Sequence, residues 1–354
     1  DYADGFRKNI FLNKSDTSKK DELTLRYKLN WDFNETTDIN FIISKVDMDD
    51  PADIWTIDGS LNTLSDRLGM DSQETNSYGI KITKNFINFD LQSFTSSTKT
   101  DVIFSYDADW GNPDSHFPYI YDYFSETLRN RNTFSQEIRI LSKNTDFSQK
   151  KPFEWVFGMD FSELEETNVT RDDGIYGDPS DPYGPYASES VISRNYKAEN
   201  FSLFGNIDYF LTKNYKLAIG LRWENWDSKY NDSNQESFNP SDNMNGGKIS
   251  LIKNNESSNI YLSIAKGYKQ GGFNIGLDAT DSSIKDSLIY DPEFLINYEI
   301  GVNSNGNDTN LNYSAVIFFS KREDQQVLIS KQIDPTDPNT FSYLTQNAAE
   351  GENY

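Results

Sequence analysis

The sequence predicts an all-β fold, an antiparallel transmembrane β-barrel with long extracellular loops and short periplasmic turns. Three observations carry that prediction. Apolar and polar residues alternate along run after run of the chain, the period of a strand with one apolar face. The connections between these runs are alternately short and long. No apolar run approaches the roughly 20 residues of a membrane-spanning helix, whereas a barrel strand needs only about 9–11 residues, every second one apolar.

Composition bounds the function. The chain has 354 residues with no composition shift or Pro/Gly/Ser linker, so residues 1–354 read as one domain. Hydrophobic residues make up only 36%, yet aromatics reach 14%, which suits amphipathic strands. The mean hydropathy of −0.72 is compatible with a barrel carrying long polar loops. A net charge of −23 argues against nucleic acid, which requires a basic footprint. With no Cys, neither a disulfide framework nor a thiolate metal site is possible. The start, DYADGFRKNI, lacks the basic and apolar regions of a signal peptide, and the end, AAEGENY, stops in mid-pattern; the chain reads as an excised fragment.

Taken in order, residues 1–21 are polar and loop-like. Residues 22–33 alternate, with Leu23, Leu25, Tyr27, Leu29, Trp31 and Phe33 on one face and Arg26 and Lys28 on the other. A return strand begins at Ile39, a long polar loop spans about 47–76, and Tyr78, Ile80 and Ile82 descend. Ile87, Phe89 and Leu91 begin a strand that reaches Tyr106. Loops are expected at 107–132, 167–195 and 229–244, separated by strand pairs around 133–144 and 153–161, then 201–211 and 215–224. Strands at 246–253, 259–268, 290–302 and 311–320 follow, then a loop near 330–340 and a last strand from Phe341. This makes about 13 strands by alternation.

The short connections fall at 34–38, 84–85, 144–152, 212–214, 254–258 and 304–308. Short turns at one end and long loops at the other describe a barrel with its turns in the periplasm. Trp31, Phe33, Tyr215, Trp223, Tyr313 and Phe319 fit aromatic girdles at the membrane interfaces. The apolar face then meets lipid, and Arg26, Lys28, Glu137, Arg139, Arg222, Glu224 and Glu299 line the lumen, chiefly as charge pairs within the wall. Arg introduced at Ile219 or Leu221 is expected to be costly, and far less so at Lys216 or Glu224.

Four stretches taken together, FGNIDYFLTKNYKLAIGLRWE, AKGYKQGGFN, YDPEFLINYEIG and QNAAEGENY, resemble the barrel of TonB-dependent outer-membrane receptors. FSQEIRILS and WVFGMDFSE are similar to barrel hairpins of the same family. The resemblance covers essentially the whole chain. It implies a barrel of roughly 22 strands filled by a plug domain. The plug and the short segment that docks with the energy-coupling protein are absent from this chain by that reading. It also implies capture of a ferric siderophore or other large nutrient by the extracellular loops, energised through TonB, with the outer-membrane lipid as surroundings.

Candidate sites are few. GYKQGGFN is not followed by a helix, so Gly267, Gly271 and Gly272 read as residues that let a strand bend at the rim, not as a phosphate loop. Asp107, Asp109, Asp114, His116 and Asp122 are the densest group of possible metal ligands, but their spacing fits no EF-hand and they read as a solvated loop. His116 is the only His, so a two-His site is impossible and Ser/His/Asp catalysis has no good base. The paired Glu165 and Glu166 read as a solvated charge run. No enzyme activity, metal or cofactor is expected.

Ligand contact falls to aromatics in the loops: Trp55, Tyr119, Tyr121, Tyr123, Tyr176, Tyr183 and Tyr186. The acidic loops, poor in Arg, do not favour a strongly anionic ligand. The expected function is receptor-mediated active transport. A passive porin or an outer-membrane adhesin stays open as the alternative.

Overall fold

The computed structural model describes residues 1–143, 152–255, 257–276, 287–304, 312–332, 336, 341–347 and 350–354. No α-helix occurs among the described residues. The wall is built from β1 (Lys20–Asn34), β2 (Thr37–Pro51), β3 (Met70–Asn85), β4 (Phe89–Asp107), β5 (Ile120–Ser142), β6 (Phe153–Gly177), β7 (Tyr186–Phe210), β8 (Tyr215–Asp232), β9 (Ser241–Asn254), β10 (Ser258–Lys269), β11 (Glu293–Ser304) and β12 (Ser314–Glu323). Each pairs antiparallel with the next in chain order, and the short segments Tyr2–Ala3, Ser237–Phe238 and Gly351–Asn353 complete a 15-stranded sheet.

Paired residues share a face, so an unbroken register carries one face from strand to strand. On β5, β6 and β7 it is unbroken from Leu141↔Val156 to Ile120↔Gly177 and from Tyr209↔Phe153 to Tyr186↔Tyr176. Leu203, Leu221, Leu262, Ile300 and Ile317 all lie on one face and stand exposed, Leu221 by 69% and Ile317 by 75%. Such a continuous apolar surface has no place in water and is at home in acyl chains. On the opposite, inner face, charges pair within the wall: Lys216 Nζ with Asp208 at 2.8 Å, Arg222 with Asp160 at 3.1 Å, and Arg139 with Glu137. The apolar belt is broken at Ser93, Thr95 and Ser97 of β4 and at Gln136 of β5, all on the lipid side. There Thr95 donates to Gln136 Oε1 at 2.5 Å and Gln136 Nε2 donates to Ser93 Oγ at 3.0 Å, so polar groups are paired where no water can reach them.

The strands run further than alternation alone indicates. The loops expected at 47–76, 107–132, 167–195 and 229–244 shrink to 52–69, 108–119, 178–185 and 233–240, because the strands continue beyond the bilayer as polar ribbons. Outside lipid both faces meet water, so the apolar alternation stops while the hydrogen-bond ladder continues. The strand expected from Phe341 is present, but it is not part of the wall. Phe341–Asn347 pairs with Gln326–Gln332 in a separate hairpin, and Gly351–Asn353 is the segment that joins β12. Most of the turns expected at 144–152 and 304–308, the start of the strand at Leu311 and much of the loop at 330–340 lie outside the described residues.

The hairpin belongs to the main buried apolar core. Tyr230, Phe238, Leu288 and Leu344 pack together, with Tyr196, Phe273 and Ile329 against them. Asn274 ties the group: its Nδ2 donates to Thr345 O at 2.8 Å and its Oδ1 accepts from Thr345 N at 2.8 Å. Phe273 thus places the AKGYKQGGFN stretch inside an aromatic cap. The wall strand ends at Lys269 and Gly272–Phe273 pairs instead with Ile289–Tyr290, where a β-carbon at Gly272 would clash with the Tyr290 hydroxyl. Gly267 faces open space and meets no such demand.

Arg at Ile219 or Leu221 should destabilise the full-length protein by ~2–4 kcal/mol at the bilayer midplane, read from urea titrations of protein folded into lipid vesicles. Lys216→Arg should be nearly neutral, since the inner-face partner Asp208 is kept. Glu224 is not the tolerant position that alternation suggests. It is only 8% exposed and accepts hydrogen bonds from Asn200, Arg222 and Tyr268, so Glu224→Arg should be costly as well. Equal tolerance of Arg at Leu221 and Lys216 would show that the two faces are assigned wrongly.

Candidate functional site

The unbroken register of β5, β6 and β7 stacks their inner-face residues in rows. From the extracellular end the rows read Tyr121–Tyr176–Tyr186, Tyr123–Gly174–Ser188, Ser125–Asp172–Ser190 and Thr127–Thr170–Ile192. Next come Arg129–Asn168–Arg194 and Arg131–Glu166–Tyr196, then Thr133–Leu164–Ala198 and Ser135–Ser162–Asn200. An aromatic mouth therefore gives way to hydroxyls, then to arginines, then to small polar residues.

The mouth gathers several of the residues expected from sequence. Tyr121 contacts Tyr123 at 4.8 Å between ring centroids, Tyr176 at 6.5 Å and His116 at 5.2 Å. The Tyr123 ring lies over Gly174, where a β-carbon would come within 2.1 Å of it. Tyr186 donates its hydroxyl to Asp181 Oδ2 at 2.8 Å. Tyr121, Tyr123, Tyr176 and Tyr186 lie on strands rather than loops, which is why they share a face. Trp55 forms a second cluster with Phe104 and Tyr106 of β4, at 6.4 and 5.2 Å. Tyr119 and Tyr183 join neither; Tyr183 stands 85% exposed at the 178–185 tip.

The arginine rows were not singled out from sequence. Arg131 Nε donates to Glu166 Oε2 at 2.7 Å, Arg129 lies 3.4 Å from the same carboxylate, and Arg194 donates to Thr170 Oγ1 at 3.0 Å. Arg129 and Arg131 thus share Glu166, while Arg194 stands opposite Asp232 of β8 in the register. Three arginines here face two carboxylates, Glu166 and Asp232, against the acidic balance of the chain. Glu166 is an ion-pair hub, not the solvated charge run read from Glu165–Glu166. The signal was present as Arg129 and Arg131 two apart, but it lay in a stretch read as loop, where period two has no meaning. Beneath these rows is a recess of about 350 Å³ that includes Thr133, Ser135, Ser162, Ala198 and Asn200 among its lining residues.

Beside the mouth, residues 1–19, 52–69 and 108–119 are knitted by buried polar groups. Asp53, 2% exposed, accepts from Asn9 Nδ2 at 3.0 Å, Thr63 Oγ1 at 2.6 Å and Ser65 Oγ at 2.8 Å. Asp109 accepts from Gly111 N at 2.8 Å and Tyr123 N at 2.7 Å. Asp107 and Asp109 are 4% and 6% exposed, so they are not the solvated loop expected from their spacing. Among the described residues no group of His, Asp or Glu is arranged to hold a metal ion. Burial, then the charges of Asp109 and Asp66, push the Asp107 carboxyl up to about 7. Arg67 forks onto Asp173, with the Nη2–Oδ1 arm at 3.0 Å, and holds the Asp173 carboxyl below the usual range.

An antiparallel sheet with a lipid-facing apolar side and a polar inner side, topped by tyrosines and arginines, defines a transmembrane β-barrel wall. Residues 5–354 match the family described as TonB dependent receptor-like, beta-barrel, and the chain belongs to that family, placing the protein in the bacterial outer membrane. The family is one of transport receptors, not enzymes. A protein of Acinetobacter baumannii named "Probable TonB-dependent siderophore receptor PiuA" is 28% identical over 156 residues, 42% of this chain and 20% of its own. Among solved structures, the ferric yersiniabactin uptake receptor FyuA from Yersinia pestis superposes with a TM-score of 0.70 at 17% identity, covering 99% of this chain and 50% of that one. The siderophore receptor PiuA from Acinetobacter baumannii gives a TM-score of 0.63 at 17% identity, covering 96% and 54%. At these identities the likeness is one of fold, and the chain spans about half the length of these solved structures.

The raised Asp107 carboxyl has a definite sign. Between the unfolded carboxylate pKa, about 3.9, and the folded value of about 7, the folded protein holds a proton the unfolded chain has lost. Stability of this knot therefore falls as pH rises through that window. Hydrogen exchange of residues 52–69, corrected for intrinsic rate, should show more protection at pH 5 than at pH 8, and Asp107→Asn should flatten the difference.

Proposed function

We propose that the protein acts in an outer-membrane receptor that takes up a ferric siderophore or another large nutrient, energised through TonB. The observation that carries this reading is the graded inner wall. Tyr121, Tyr123, Tyr176 and Tyr186 offer amphipathic area at the mouth, where a large ligand is first met. Arg129, Arg131 and Arg194 offer charge-assisted hydrogen bonds further in, so the ligand carries an anionic group despite the acidity of the chain as a whole. The recess below them has the size of a small-molecule site. The named function of the relatives supports the siderophore reading, while the likeness to the copper transporter OprC, with a TM-score of 0.62 at 14% identity, shows that this fold also occurs in a metal transporter.

Binding in this reading makes and breaks no covalent bond. Tyr hydroxyls and rings desolvate the ligand face by face, and the guanidiniums replace water around its anionic group. Passage then requires a plug that moves, and the energy-coupling protein acts on that plug. No residue of this chain is assigned to either contact.

The test is uptake of a panel of ferric siderophores by iron-starved cells expressing the full-length receptor. Arg129→Ala with Arg131→Ala should weaken binding of the transported chelate by roughly 10–100-fold, the worth of one or two charge-assisted bonds, and should flatten its salt dependence. Tyr121→Ala should cost about 2–10-fold, the worth of an aromatic contact. A protonophore should abolish uptake. Uptake that persists without the proton gradient would point to a passive pore, and binding without uptake to an adhesin.

A further inference from the structure

The lipid-facing surface of β7 to β10 is not smooth. Gly205, Leu221, Gly247 and Lys266 stand in one register row across these four strands. The two glycines carry no side chain on either side of Leu221, so the Phe157 ring leans over Gly205 and the Leu221 side chain over Gly247. A depression of about 610 Å³ lies on one side, lined by Phe157, Leu203, Ile207, Ile219 and Trp223. A second, of about 300 Å³, lies on the other and runs past Gly247 and Ile249 to Ile264 and Lys266. Both share Ile219 and Leu221, so they form one groove divided by a ridge. The groove lies in the interior of the sheet, away from its edges.

Lys266 ends the apolar run Ile260, Leu262, Ile264 on the extracellular side of β10. Its Nζ donates to Asn245 Oδ1 at 2.9 Å and stands 4.6 Å from the centre of the Phe294 ring. Lys45, Lys99, Lys197 and Lys321 on the same face each lie within 4 Å of a carboxylate. Among the described residues Lys266 has no such carboxylate; Lys229 and Lys253 of that face have none either, but of the three only Lys266 lines the groove.

We infer that this groove holds the acyl chains of one membrane lipid whose anionic phosphate headgroup pairs with Lys266. The occupant follows from two properties of the surface. An apolar channel at bilayer level is filled by acyl chain, because water there has no polar partners. The lysine at its extracellular end selects the headgroup by charge, and its long stem lets the ammonium reach the interface. Shape alone would take any lipid; the uncompensated charge makes the site selective.

Trp223 lines the groove and reports on it. The full-length receptor would be placed in phosphatidylcholine nanodiscs containing increasing fractions of phosphatidylglycerol with brominated chains, and the quenching due to Trp223 taken by difference from Trp223→Phe. Half-maximal quenching should occur at a mole fraction about tenfold below that needed with brominated phosphatidylcholine. Lys266→Gln, an exposed change that leaves the wall pairing intact, should bring the two lipids together. Equal quenching by both lipids in the unaltered protein would overturn the proposal. So would an anionic preference that survives in Lys266→Gln.

Discussion

In a bilayer, a strand's backbone N–H and C=O groups can be satisfied only by another strand. Everything else in this protein follows from that demand. It makes each strand pair with its sequence neighbour along the whole span, and it leaves no room for a slip of one residue, which would turn every leucine inward and every charge into lipid. The same demand operates on side chains. Ser93, Thr95 and Gln136 face lipid on β4 and β5, and they are tolerated because they hydrogen-bond one another.

Once register is locked, the inner wall becomes a sequence of rows, and the rows become a path. Residues 10 apart along β5, such as Tyr121 and Arg131, act at different depths of one vestibule because the ladder never breaks between them. Electrostatics then depends on rows, not on totals. A chain with a net charge of −23 still presents Arg129 and Arg131 on one carboxylate, with Arg194 one row away, on the inner face. Its acids lie elsewhere, many of them on the outer face, where Lys197 gathers Glu163, Glu165 and Glu199.

Beyond the bilayer the constraint relaxes, and ordinary packing takes over in two forms. An aromatic cap around Phe273, Tyr230 and Phe238 buries apolar surface much as a soluble domain does. A polar knot around Asp53 and Asp109 is held instead by backbone and side-chain donors to buried carboxylates. The two flank the vestibule and differ in what would loosen them. Protonation reaches Asp107 in the knot, whereas the buried cluster of the cap is, among the described residues, built from Tyr, Phe, Leu and Ile.

The fold was legible in the alternation of residues such as Leu217, Ile219 and Leu221 against Lys216, Gly220 and Arg222, because lipid enforces period two more strictly than any soluble core does. That alternation also placed the two faces and the turns near 34–38 and 212–214, while the turn expected at 84–85 lies at 86–88. It failed above the membrane, where water on both sides removes the pattern: strands were read as loops, and Arg129, Arg131 and Arg194 went unseen. The aromatic residues Tyr121, Tyr123 and Tyr176 were recognisable by type, but their shared face was not. Only tertiary structure decided which long-range partners meet. Asp53 with Asn9, Phe273 with Tyr230 and Gly205 in one register row with Lys266 are separated by tens of residues, and no local period encodes such contacts. By itself the sequence determined a membrane wall and its polarity, since these repeat within every strand; the vestibule, the cap and the lipid groove depend on how distant strands align.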